Sequence, residues 1–468
     1  MRLTAVQNDR AAGVLLATAA GDALGAGYEF TYPAADAKID MIGGGLGPFA
    51  PGEWTDDTSM ALAIAEISAT GADIGRGAGL DAVAAQFRHW YGTDPKDIGN
   101  QTRAVLRAAG TTATAMQARA RSLPGRTGGN GSLMRTAPVG LAYLEDAERC
   151  LAAAHEISTL THADEQASEA CRVWSFAVRH AVLHGTFDGV RVSLRHLSPP
   201  AAQRWAALLD EAETATNARV FDKNGWVVHA LQAAWWAITH ARADGPGHLQ
   251  EALELAVRAG NDTDTVAAIA GGLLGARWGA SAVPARWRRM LHGWPGYRSR
   301  DLVRLGLHTA WGGSDDDRGW PTAPEVDYSR YRTDRRATHP HDEGVVLGGA
   351  ELLRAPGFDA VVSLCRVGPA PHAAEHVEFW MVDADHSRNQ HLVFTIDDAA
   401  RTVRALRGEG KTVAVHCVEG VSRTPSVAAR YSMLLGRDPG DVLRVMPWAE
   451  PRPALWWAAT EGRPAACT

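Results

Sequence analysis

Along this chain, apolar and polar positions alternate with two different periods, and the change of period falls after Trp311. In "SEACRVWSFAVRHAVLHG", "GWVVHALQAAWWAITHA" and "HLQEALELAVRAG" the apolar residues recur at helical spacing. The stretch from Val266 to Trp278 is small or apolar on every face, which predicts a helix buried all round rather than an amphipathic surface helix. A second Ala-rich apolar helix is predicted in "EWTDDTSMALAIAEI", residues 53 to 67. From Trp311 to Glu343 the periodicity vanishes into Gly, Pro, Asp and Arg, the composition of a linker. Beyond it, the short β-rich runs "GVVLGG", "FDAVVSLC" and "HVEFWMV" are interleaved with helical stretches such as "TIDDAARTVRALRGEG". That alternation predicts an α/β domain from about residue 340 onward.

Both buried helices open on paired acids. Asp262 and Asp264 precede the helix from Val266, and Asp56 and Asp57, flanked by Thr55 and Thr58, precede the other. A single acid suffices to cap a helix N-terminus. Four carboxylates entering a buried environment repel one another unless they are protonated or cations sit between them. The donors are all oxygen, which selects a hard ion such as Mg²⁺ or Mn²⁺ over Zn²⁺. Either pair alone fits a cap as well as a ligand, and the repetition favours metal.

Five stretches, in order, resemble the ADP-ribosylglycohydrolases related to the enzyme that reactivates dinitrogenase reductase. They are "GDALGAGYEF", "WTDDTSM", "GGNGSLMRTAPVG", "STLTHADEQA" and "GNDTDTVAAIAG", and the resemblance covers residues 10 to 310. It implies a compact all-α domain holding two Mg²⁺ or Mn²⁺ ions, with Thr55, Asp56, Asp57, Asp262, Asp264 and Thr265 as ligands and Glu29 at the substrate entrance or metal edge. Gly129, Asn130, Gly131 and Ser132 would lie against ADP-ribose, with backbone N–H groups approaching phosphate. His162 would line the same pocket, and a hydrogen-bonded core histidine is the alternative for it. The implied chemistry is metal-assisted attack of water on a glycosidic carbon, through an oxocarbenium-like transition state that carboxylates stabilise. Asp56, Asp57 or Glu29 would assist proton transfer, and the bonded atom, arginine nitrogen, serine oxygen or another, stays open.

The second domain carries "KTVAVHCVEGVSRTPSVAARYSMLLG" at residues 411 to 436. A buried strand runs into a short loop and then a helix, with Cys417 and Arg423 at C-x₅-R spacing. Loop amides and the helix N-terminus converge on one anionic site, and Gly420 lets the backbone close around it. In that field Cys417 becomes a thiolate nucleophile, and Arg423 clamps two phosphoryl oxygens. The motif resembles the dual-specificity and tyrosine phosphatases over residues 343 to 450. That resemblance implies a phosphocysteine intermediate, with Ser422 and Gly420 in the phosphate loop and Thr424 assisting hydrolysis. A separate aspartate protonates the leaving group; of Asp383 and Asp385, Asp385 sits where the family places its acid.

Composition sets limits. At 468 residues the chain exceeds what one hydrophobic core usually supports, so two domains are expected. The net charge of −6 gives no footprint for nucleic acid, and the basic run from Arg286 to Arg300 reads as a solvated face. The five cysteines show neither CxxC spacing nor an even count, which fits a reducing cytoplasm rather than a disulfide framework or zinc site. No apolar run is long enough to span a membrane, and Asp22 interrupts the one N-terminal run that resembles a signal segment.

The expectation is therefore multidomain: an all-α glycohydrolase-like domain at 1–312, a linker at 313–342, and an α/β cysteine-phosphatase domain at 343–468. The expected activities are metal-dependent release of ADP-ribose from a protein side chain or small molecule, and hydrolysis of a phosphorylated protein or metabolite. The alternative is an ADP-ribose-binding module that recruits the phosphatase without turning over.

Overall fold

The computed structural model describes residues 2–34, 36–108 and 110–463, so Cys467 lies outside the described residues. The chain divides into two compact units. The first comprises Gln7–Val283 and Met290–Ser314 with Met1–Arg2, and the second Asp315–Thr468 with Leu3–Val6 and Pro284–Arg289.

The first unit is helical; among its described residues the only strands are a two-residue ladder, His292–Gly293 against Tyr297–Arg298. Five helices position its site: α1 (Ala5–Gly25), α2 (Asp56–Ser68), α3 (Glu165–His184), α4 (Val227–His240) and α5 (Thr263–Trp278). The apolar run that predicted α5 is buried from Thr263 to Ala276. The second half of α1, from Ala11 to Gly25, is buried too. Two helices can bury each other this fully only if their backbones approach closely, and glycine provides the approach. A Cβ at Gly21 would stand 2.1 Å from the Ala267 carbonyl oxygen, and one at Gly271 2.2 Å from that of Ala17. This seam brings the C-terminal end of α1 to the N-terminal end of α5. Trp174 on α3 adds a crosslink, donating its indole N–H to the Ile269 carbonyl at 2.9 Å.

The second unit is a five-stranded sheet with helices against it. Its strands are β1 (Arg336–His339), β2 (Asp342–Gly348), β3 (Ala360–Ser363), β4 (Glu375–Glu378) and β5 (Val413–His416), in the order β1-β2-β5-β3-β4. Only β1 is antiparallel to its neighbour. Helices α6 (Leu392–Gly408) and α7 (Arg423–Leu434) supply Ile396, Val403, Leu406, Val427 and Tyr431 to a core shared with Val345, Val362 and Val415 of the sheet. The apolar runs thus predicted four of the five strands. The fifth, β1, lies in the segment read as linker; it is a polar edge strand with a bulge after Thr338, so it carries no apolar alternation. The preceding residues have no regular structure yet bury Trp320, whose ring lies 4.5 Å beneath the Arg366 guanidinium. Among the described residues no helix is long and apolar enough to cross a membrane.

Candidate functional site

In the first unit the acids converge as the repetition suggested. Asp22, Asp57 and Asp264 each place a carboxylate oxygen within 4.8 Å of the others, and so do Glu29, Asp262 and Asp264. Asp264 belongs to both groups. The Thr55 hydroxyl lies 3.0 Å from Asp57 Oδ2 and 3.5 Å from Asp264 Oδ2, bridging α2 and α5. Asp56 stands beside these groups rather than within them, its Oδ2 accepting the Gly99 amide at 3.4 Å.

Capping does not account for the acids of α2, whereas on α5 Asp264 Oδ1 accepts the first-turn amide of Thr265 at 2.9 Å. The first-turn amides of α2, from Thr55 and Thr58, donate at 2.9 Å each to Asp22 of α1, and the Thr58 hydroxyl donates to the same carboxylate at 2.6 Å. Asp56 and Asp57 are therefore free of capping duty, and neither Thr55 nor Asp262 caps its helix through its side chain. Asp57 Oδ1 is buried with no hydrogen-bond partner among the described residues.

Burial, reinforced by neighbouring acids, pushes the carboxyls of Asp56, Asp57 and Asp264 well above the usual range. Glu29 is pushed up to about 7, by burial and then by the charges of Asp262 and Asp97. Asp22 rises only to about 6, because hydrogen bonds from the hydroxyls and amides of Thr58 and Thr55 offset part of the burial. A packed set of carboxylates with raised pKa values and an orphaned oxygen is what hard divalent cations stabilise. The donor set fits Mg²⁺ or Mn²⁺.

The glycine-rich loop is tied to this cluster. Asn130 donates to Asp262 Oδ2 at 2.7 Å and to the Asn224 carbonyl at 2.8 Å. Gly129 and Gly131 pack close to the His162 ring: a Cβ would stand 3.3 Å from it at Gly129 and 3.0 Å at Gly131, so the ring would have to give way slightly. His162 is buried, its Nδ1 2.7 Å from the Thr161 hydroxyl, and burial followed by the Arg135 charge pulls its pKa down to about 3. It is thus a neutral ring that shapes the loop. The Ser132 hydroxyl points into the core, accepting from Ser158 at 3.0 Å.

In the second unit Cys417 follows β5, and Arg423 opens α7. Both are buried. Burial raises the Cys417 thiol, but the Arg423 charge, the Thr424 hydroxyl and amide, and the Gly420 amide outweigh it, and the net shift is downward. Gly420 has φ +69°, and a Cβ there would lie 2.7 Å from Gly348, so only glycine fits. Arg423 Nη1 donates to the carbonyls of Leu364 at 3.1 Å and Met381 at 2.9 Å, which fixes the guanidinium against the loop. Thr424 Oγ1 donates to the Gly348 carbonyl at 3.2 Å, and Ser422 Oγ accepts the Arg452 amide at 3.1 Å.

The two acid candidates differ in placement. Asp385 is exposed, its Oδ1 accepting the Ser387 amide at 3.0 Å and hydroxyl at 2.5 Å, bonds that hold its pKa down. The Asp383 carboxylate is felt by Arg423; its buried Oδ1 lies 3.4 Å from Arg452 Nε without hydrogen-bond geometry.

A model of the ADP-ribosylglycohydrolase family matches residues 3–316. The chain belongs to that family. A model of the dual-specificity phosphatase catalytic domain matches residues 347–436, so this ADP-ribosylglycohydrolase family member is a hydrolase that also carries a phosphatase domain. The first part is 31% identical over 285 residues to the ADP-ribosylarginine hydrolase Tri1 of Pseudomonas putida, covering 60% of this chain and 73% of the relative. It is 29% identical over 304 residues to the ADP-ribosyl-[dinitrogen reductase] glycohydrolase of Rhodospirillum rubrum, covering 60% and 89%. A solved ADP-ribosylglycohydrolase-related protein complex superposes with a TM-score of 0.51 at 29% identity, covering 66% of this chain and 99% of that one.

Sequence reasoning passed over two acids of this glycohydrolase unit. Asp22 lies within "GDALG", where a lone acid inside an apolar run looks like an interruption rather than a member of a cluster. Asp97, whose charge reaches Asp56, Glu29 and Asp262, sits in a polar loop with no pattern to mark it.

Proposed function

We propose that the first unit hydrolyses the bond between ADP-ribose and an arginine guanidinium on a protein, and that the second hydrolyses phosphate monoesters through a phosphocysteine. The observation that carries the first reading is the convergence of Asp22, Asp57 and Asp264 with Glu29 and Asp262 from separate segments of the chain. Arginine is the linkage named for the Pseudomonas putida relative. Two Mg²⁺ or Mn²⁺ ions, held by Thr55, Asp56, Asp57, Asp262, Asp264 and Thr265, would supply Lewis-acid polarisation and a water of lowered pKa. The chain's own contributions are distinct. Asp22 fixes the start of α2, Asn130 couples the glycine-rich loop to Asp262, and Gly129, Gly131 and neutral His162 shape the bed for ADP-ribose. Glu29, half-buried at the edge of the acid cluster, is placed to accept a proton from water and return it to the leaving nitrogen.

In the phosphatase unit, Cys417 attacks phosphorus while Arg423 and the loop amides hold the equatorial oxygens. Asp383 is the acid we assign to the leaving oxygen, since its charge acts on the arginine that would hold the phosphoryl group; Asp385 then stiffens the loop through Ser387. Water next cleaves the thiophosphate with help from Thr424.

The test incubates the full chain with arginine-linked and serine-linked ADP-ribosylated peptides, with Mg²⁺ or EDTA, and follows free ADP-ribose by mass spectrometry. Parallel assays use p-nitrophenyl phosphate. Metal-dependent release from the arginine peptide alone is expected. ADP-ribose binding without release would instead favour a reader that recruits the phosphatase.

A further inference from the structure

Beneath Cys417, three neighbouring strands carry a polar stripe on one face of the sheet. Ser363 on β3 is in register with His416 on β5 and with Glu378 on β4; His376 lies two residues before Glu378 and so shares its face. The Ser363 hydroxyl oxygen is 2.7 Å from His416 Nε2 and 2.8 Å from His376 Nε2. His416 Nδ1 is 3.1 Å from the carbonyl oxygen of Cys417.

Donor and acceptor accounting gives this chain one direction. A carbonyl oxygen only accepts, so His416 must donate from Nδ1. Burial, with further contributions from the charges of His376 and Arg423, pulls the His416 pKa down to about 4 despite its bond to the carbonyl, so the ring is neutral and Nε2 is an acceptor. Ser363 must then donate its one hydrogen to His416 and can only accept from His376. His376 therefore carries its hydrogen on Nε2. Its other nitrogen, Nδ1, lies 3.8 Å from Glu378 Oε1, and Glu378 Oε2 accepts the Trp380 indole N–H at 3.2 Å. Each donor in the series points toward Cys417.

We propose that His376 is a positioning residue for Cys417, donating to Ser363 and so orienting a chain of hydrogen bonds through His416 whose positive ends favour negative charge on the nucleophile. The inference rests on Cys417 being the nucleophile. It adds to the loop donors a contribution that enters through the Cys417 carbonyl, from a chain that reaches β4, two strands away from Cys417's own. The other groups facing Cys417 are Arg423, with Asp383 and Tyr328 acting on that guanidinium, and the thiol of Cys365.

The experiment titrates the Cys417 thiolate by ultraviolet absorbance in the full chain, with Cys417→Ser as the blank. Ser363→Ala breaks the chain at its centre, His376→Leu removes the first donor, and His376→Gln keeps an N–H where Nε2 was. Midpoints in S363A and H376L should rise by about half a pH unit or more, with H376Q returning toward the wild type. The acid limb of kcat/KM should move with them. A merely space-filling role would lower the melting temperature and leave the midpoint in place. Folded S363A and H376L proteins that titrate as the wild type does would overturn the relay while p-nitrophenyl phosphate turnover keeps the phosphatase reading. A wild-type thiol with an ordinary midpoint would overturn both.

Discussion

Asp22 binds Thr58 twice through one oxygen, taking the amide at 2.9 Å and the hydroxyl at 2.6 Å, and so holds the start of α2 from a neighbouring helix. Replacing Asp22 with alanine strands two buried amides and a hydroxyl. The expected loss is about 3 kcal/mol of stability, read from urea melts. Asp22→Asn keeps an acceptor and should lose less. In both variants the rise in melting temperature on adding Mg²⁺ should shrink.

Cations should stabilise the wild type, because they offset the burial and the mutual repulsion that raise Asp56, Asp57 and Asp264. At a Mg²⁺ concentration a hundred times its dissociation constant, about 2.7 kcal/mol is expected. Thermal melts with Mg²⁺, Mn²⁺ and EDTA check this, and Asp57→Ala should abolish the difference. EDTA should stop ADP-ribose release without touching p-nitrophenyl phosphate hydrolysis.

Cysteine reactivity should separate sharply by position. Burial pushes Cys150 and Cys365 up to about 12 and raises Cys171, whereas Cys417 ends below the ordinary thiol value, which burial alone would have raised. The thiolate of Cys417 therefore appears first as pH rises. Its contribution to stability is complete above the unfolded thiol pKa and is lost as pH falls through the lowered folded value. Iodoacetamide at neutral pH should label Cys417 before Cys150, Cys171 and Cys365, as peptide mass spectrometry would show. Arg423→Ala should move the labelling profile to higher pH.

The acid assignment predicts unequal losses. Asp383→Asn should lower kcat about a hundredfold, with a smaller loss on substrates whose leaving group needs no proton. Asp385→Asn should stay within a few-fold of the wild type. Steady-state rates on p-nitrophenyl phosphate and a phosphotyrosine peptide distinguish them, and the reverse order would return the role to Asp385.

What the sequence made legible were features that repeat or keep a fixed spacing. The helix over Thr263–Trp278 is small or apolar through most of its length after Thr265, and the strand over Val413–His416 is apolar up to its last residue, so the runs marked both. Asp56 with Asp57, and Asp262 with Asp264, stood out as two copies of one pattern. Asp22 joined them only when α1 met α5, a contact between residues far apart in the chain. His376 is similar: it reaches Ser363 through strand register, which single-chain spacing does not encode. The strand over Arg336–His339 is recruited by its neighbour's unpaired edge rather than by its own side chains.

The glycine contacts between α1 and α5 bear on how the clustered carboxylates hold their separation. Where side chains interleave, a rotamer change can absorb a small shift of one helix. Here Gly13, Gly21 and Gly25 meet Gly275, Ala267 and Asp264 main chain to main chain, and nothing deformable lies between. The spacing of Asp22 from Asp264 is thus gauged by the peptide backbone itself. Thermal jostling of rotamers leaves that gauge untouched, while one added methyl group would meet the facing main chain and force the two helices apart.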